Sequence, residues 1–126
     1  MSEKVIFLIN QGYEGEVIIV YDHPEGVTTP EEKKKKVYKI PKSGVYKAQS
    51  KATYGLLDNE YYYINERGDR TQILEAHGVE NPDEVCIYNI ITSTKEIEGK
   101  EYELMAFMVC KKKDINQYNN FQLEVR

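Results

Sequence analysis

The apolar residues of this chain arrive in short runs with no helical period. Two are the strongest: VCIYNIITST (85–94) and YELMAFMVCK (102–111). Both are rich in β-branched and aromatic residues and largely apolar on both faces, the pattern of strands buried inside a sheet. EKVIFLI (3–9) and EVIIVYD (16–22) are shorter and are bounded by Asn, Gly, Asp and Pro, which break strands. KVYKI (36–40) and VYKAQ (45–49) flank the turn signal PKSG and read as a hairpin. NEYYYIN (59–65) is a strand that the turn ERGDR (66–70) returns into TQIL (71–74). Residues 23–35 and 75–84 are long polar connections. The last stretch holds one helical turn at Asp114 to Asn119 and a closing strand at Phe121 to Val125.

About nine short strands separated by polar turns predict a mainly β fold, an antiparallel β-sandwich or barrel. At most one short helical turn is expected, at the C-terminus. There is no alternation of strand and helix patterns, no heptad and no internal repeat. The 126 residues therefore read as a single domain, 1–126.

With 40% hydrophobic and 30% charged residues, the chain is neither disordered nor a helical membrane protein. Its longest apolar run, Val5 to Ile9, is far below the roughly 20 residues of a spanning helix. A net charge of −4 argues against general nucleic-acid binding, which needs a positive footprint. Two basic runs, Lys33 to Lys36 and Lys111 to Lys113, interrupt that acidity. Each could meet a phosphate or anionic lipid, but a solvated loop and a charged strand edge explain them as well.

Motifs that would carry chemistry are weak. NQGYEG (10–15) spaces Gly12 and Gly15 around Tyr13, but a strand follows it. A phosphate-binding glycine loop needs a helix there, so these glycines are expected in a β-turn at positive φ. DHPE (22–25) groups Asp22, His23 and Glu25, and His77 is the only other histidine. Consecutive residues rarely converge on one metal ion, and a solvated turn is the plainer reading. Cys86 and Cys110 lie inside apolar strands, where a thiol acts as a small hydrophobe. Tyr54, Tyr61, Tyr62 and Tyr63 could stack sugars or bases, but alternating strand tyrosines more often pack a core. The sequence nominates no catalytic, cofactor-binding or metal-ligating residue and no cofactor.

The two strongest strands carry a register expectation. A three-residue loop at Ile97 to Gly99, with Glu96 facing Lys100, would set Ile90 opposite Ala106, Tyr88 opposite Met108 and Cys86 opposite Cys110. Opposed β-carbons stand about 4.5–5.5 Å apart, slightly far for an unstrained bridge. Close, buried, reduced thiols are expected, with a strained cross-strand disulfide as the alternative.

FLINQGYEGEVIIVYD (7–22), VYKIPKSGVYKAQ (37–49) and YGLLDNEYYYINERGDRTQI (54–73) together resemble a domain of unknown function found in putative lipoproteins of Gram-positive, spore-forming bacteria. The shared marks fall on Gly12, Tyr13 and Gly15, on Ile40, Pro41 and Gly44, and on Tyr62, Tyr63, Gly68 and Arg70. They cover roughly the first 75 residues and are turn and strand residues, silent about activity. The resemblance implies a transthyretin-like or immunoglobulin-like sandwich attached outside the membrane. It also implies a native reading frame extending upstream through an apolar segment to a lipidated cysteine beside Ser2 or Glu3. The function expected is a non-catalytic surface module that binds an unknown protein or surface ligand, not nucleic acid, tethered by an N-terminal lipid. The alternative is a soluble cytoplasmic β-domain that binds a protein partner through an exposed strand or tyrosine face.

Overall fold

The computed structural model describes residues 3–51, 57–118 and 120–125. Among the described residues nine strands form in chain order: β1 (Glu3–Asn10), β2 (Gly15–Val20), β3 (Glu31–Glu32), β4 (Lys35–Lys39), β5 (Val45–Lys47), β6 (Leu57–Ile64), β7 (Arg70–Glu75), β8 (Val85–Ile97) and β9 (Lys100–Lys111). They join in one sheet of order β3-β4-β1-β6-β7-β8-β9-β2-β5. The mainly β class holds, as does the short C-terminal helical turn, a 3-10 helix at Lys112–Tyr118. The pairing is mixed where an antiparallel sheet was expected: β1 runs parallel to both β4 and β6, β2 to β5, and β7 to β8.

The sheet folds so that β4, β1 and β6 face β2 and β9 across one core. Val5, Phe7 and Ile9 of β1 meet Val17 and Ile19 of β2 and Met105, Phe107 and Val109 of β9. The period of two along each strand makes this possible, because alternate residues share a face. Phe7 stacks on Tyr61 at 5.3 Å and meets Phe107 edge-on at 5.2 Å between ring centroids. Tyr38 and Tyr46 complete the aromatic interior from β4 and β5.

The hairpin expected over 36–40 and 45–49 does not form. The turn is present, with Gly44 N–H donating to the Pro41 carbonyl, but β4 stays beside β1 while β5 pairs with β2. Ile40 explains the difference: it is buried, and its N–H donates to the Leu8 carbonyl, so the chain leaves β4 into the core. The β1–β2 and β4–β5 connections are two crossovers side by side between facing halves of the sheet.

The β8–β9 register agrees with expectation at Cys86↔Cys110 and Tyr88↔Met108 and departs from it nearer the turn. The loop has two residues, Glu98 (φ 51) and Gly99 (φ 83), between Ile97 and Lys100, as in a type I′ turn. A bulge between Tyr88 and Ile91, with Asn89 at φ 56, then absorbs one residue, and Ile91 rather than Ile90 faces Ala106. No strand forms over 121–125. Phe121, Leu123 and Val125 instead lay alternate side chains on a second cluster, Ile18, Val20, Tyr102, Leu104 and Ala106, on the outer face of β2 and β9.

Candidate functional site

Residues from each of the three sequence marks of the resemblance, Tyr13, Gly44 and Tyr63 among them, meet at one joint. Gly12 (φ 86) and Gly15 (φ 139) let the first crossover turn between β1 and β2, the turn reading of NQGYEG. Tyr13 folds back so that its hydroxyl donates to the Glu16 carbonyl. That hydroxyl lies over Gly44 of the second crossover, where a β-carbon would stand 2.2 Å from it and 2.6 Å from the Glu16 carbonyl oxygen. Tyr63 donates its hydroxyl to the Tyr13 carbonyl at 2.6 Å. Burial pushes the Tyr63 phenol up to about 12 and also raises that of Tyr13, where the Glu16 carboxylate adds to the effect. These hydroxyls are fixed donors: that of Tyr13 closes the first crossover against Gly44 of the second, and that of Tyr63 ties the first crossover to β6.

The tyrosine cluster is likewise interior. Tyr61 and Tyr63 are buried, and Tyr61 also meets Phe107 edge-on at 5.1 Å. Tyr62 points to the opposite face and donates to Glu60 at 2.6 Å. Tyr54 lies outside the described residues.

His23 is buried, stacked on Tyr102 at 5.1 Å, and its Nδ1 accepts the Glu25 N–H at 3.0 Å. That bond closes a turn inside DHPE and engages one of the two imidazole nitrogens. His77 is exposed on the 3-10 turn Ala76–Gly78, 4.0 Å from Glu75. Among the described residues no three His, Cys, Asp or Glu side chains gather as a metal site would. Cys86 and Cys110 are buried free cysteines, and the Cys86 thiol donates to the Cys110 carbonyl at 3.4 Å. Burial raises both thiols, Cys110 to about 12, so neither has nucleophilic character near neutral pH.

The basic runs are largely absorbed. Lys33 (φ 50) and Lys34 (φ 66) form the β3–β4 turn, and Lys35 pairs with Glu60. Lys112 donates to the Ala76 and Val79 carbonyls, and Lys113 pairs with Asp83 at 2.8 Å.

Two surface depressions stand out among the described residues. One, of about 330 Å³, lies beside Tyr21 and Tyr102 and is lined by two lysines, Lys51 and Lys100, and three carboxylates, Asp22, Glu101 and Glu103. The other, of about 730 Å³, opens at the carboxyl ends of the parallel strands β4, β1 and β6 and is lined by Lys39, Lys42, Arg67, Asn10 and Gln11. Sequence reasoning missed it. Its cations come from a strand end and two separate turns, and only the parallel placement of β4 and β6 beside β1 brings them together.

A family of unknown function, DUF6843, matches residues 1–119. No curated protein matches the chain. Among solved structures, a putative lipoprotein from Bacillus anthracis is similar over 100% of this chain and 84% of its own, with a TM-score of 0.71 and 23% sequence identity.

Proposed function

The chain belongs to this family of unknown function, and on that premise we propose that it is the soluble, non-catalytic part of a bacterial surface lipoprotein, acting in binding. The observation that carries this reading is the whole-chain likeness to the putative lipoprotein from Bacillus anthracis. The chemistry of the thiols and of His23 supports the non-catalytic half of it. Both thiols are buried with their thiolates disfavoured, and one nitrogen of His23 is engaged by the backbone. No described helix is long and apolar enough to cross a membrane; attachment in this reading is by an N-terminal lipid.

The test is made in the native cell. A lipoprotein incorporates labelled palmitate, partitions with membranes and is cut by protease added to protoplasts. An unlabelled chain that stays with the cytosol and resists external protease overturns the surface reading.

One feature favours the second reading, a cytoplasmic domain that binds a protein through an exposed strand. From Tyr88 onward β8 pairs only with β9 among the described residues, which leaves the other edge of residues 89–97 without a ladder partner. Such an edge can accept an added strand. A cytosolic location, with a partner cross-linked to residues 91–95, would replace the first reading by this one.

A further inference from the structure

We propose that the groove at the carboxyl ends of β4, β1 and β6 is a binding site for a diphosphate-type anion. Three cations line it. Lys39 and Lys42 stand on the β4 side, Arg67 stands on the turn after β6, and the amides of Asn10 and Gln11 lie between them at the end of β1.

The state of the other cations on the same sheet face carries the inference. There Lys35 is held by Glu60 at 2.5 Å, and Arg70 forks onto Glu32 at 2.9 and 3.1 Å. Lys39, Lys42 and Arg67 take no ion-pair partner among the described residues, although the chain as a whole carries a net charge of −4. Unpaired cations gathered in a concavity focus a positive potential that an acidic surface otherwise lacks.

The site is also partly preorganised. Asn65 Oδ1 accepts the N–H groups of Arg67 and Asp69 at 3.0 and 2.9 Å, and Gly68 N–H donates to the Asn65 carbonyl at 3.0 Å. These bonds fix the turn that presents Arg67.

Phosphate fits better than carboxylate. A guanidinium fork on one side, two ammonium groups on the other and amide donors between them approach from several directions. A planar carboxylate engages one wall, whereas linked tetrahedral phosphates offer oxygens to both. Glu66 also lines the groove and opposes the ligand. Its removal is therefore a test of sign as well as of size.

The ligand's phosphates could belong to a free diphosphate or to lipid headgroups, and two probes separate these sources. Calorimetric titration uses sodium pyrophosphate; cosedimentation uses phosphatidylglycerol vesicles with phosphatidylcholine vesicles as control. Lys39, Lys42 and Arg67 are exposed, so Lys42→Glu and Arg67→Glu should melt like the parent.

Each of these variants should weaken binding at least about tenfold, and Glu66→Gln should tighten it. The double variant Lys33→Glu, Lys34→Glu should leave affinity within about twofold, because those residues lie on another turn. Pyrophosphate binding alone assigns a soluble diphosphate; vesicle binding with the same mutant pattern assigns a headgroup. Failure of both probes overturns the site, as does binding that survives Arg67→Glu and is lost in the Lys33, Lys34 variant.

Discussion

On the outer face of β2 and β9, Ile18, Val20, Leu104 and Ala106 lie against Phe121, Leu123 and Val125, which arrive from the far end of the chain. On the outer face of β4, β1 and β6, Ile6, Leu8 and Val37 have Tyr62 and Ile64 as their packed apolar neighbours, bordered by the Lys35–Glu60 and Arg70–Glu32 pairs. The first face is closed by a segment that adds no strand. It is pinned where Leu123 N–H donates to the Glu16 carboxylate and Lys95 donates to the Leu123 carbonyl. Leu123 sits at φ 50, a region a branched side chain enters at a cost, so these contacts outweigh local preference. The second face is closed by side chains of its own ladder. Apolar cover from a distance and polar cover from neighbours should fail differently, and the variants below separate them.

Removing residues 120–126 should produce the largest effect. Three half-buried apolar side chains leave, and Glu16 and Lys95 each lose a partner, for a loss of about 3 kcal/mol in chemical denaturation. Such a truncation should also bind an apolar dye. A truncated chain that melts like the parent would mean that the segment covers the face without stabilising it.

Next comes the joint that links the halves rather than either cover. Gly44→Ala meets the Tyr13 hydroxyl and the Glu16 carbonyl and must also hold φ 81, so it should cost about 2 kcal/mol. Gly12→Ala has the same sign of φ but open space around it and should cost about 1 kcal/mol. Equal losses would show that backbone strain alone matters and that the Tyr13 contact contributes nothing.

Strand existence was legible because short β-branched runs between Gly, Pro and Asn leave little else to form. Pairing was less so. PKSG announces a turn, but only the burial of Ile40 tells that the chain crosses the core instead of turning back. At β8–β9 one residue moved from the turn to a bulge at Asn89, a residue type that tolerates positive φ cheaply, and Cys86 still faces Cys110. The turn itself was hidden because Glu98, not Asn or Gly, takes its first left-handed position. Phe121, Leu123 and Val125 were readable as one-faced burial but not as burial without a ladder. The groove at Lys39, Lys42 and Arg67 was not readable at all, since nothing in local sequence announces parallel neighbours. The cysteine pair offers a direct check: a thiol reagent should find none reactive in the native protein and two after unfolding without reductant. Finding none after unfolding would establish a disulfide.

The smallest effect belongs to the polar cover and depends on pH. Lys35 and Tyr62 both donate to the Glu60 carboxylate, and these bonds, that from Lys35 first, hold its pKa below the ordinary value of 4.5. A carboxylate depressed in the folded state stabilises the protein above its unfolded pKa. That contribution fades as pH falls through the folded value. Glu60→Gln should therefore cost only about 0.5 kcal/mol at pH 7, because the pair is partly open to solvent. The difference from the parent should shrink when both are unfolded by denaturant near pH 3.5. Most of the cost of losing the cover at 120–126 comes from apolar area, which does not titrate, so most of it should persist at the same pH. If the Glu60→Gln difference stayed constant with pH, the carboxylate charge would not be what closes that face, and shape alone would have to explain it.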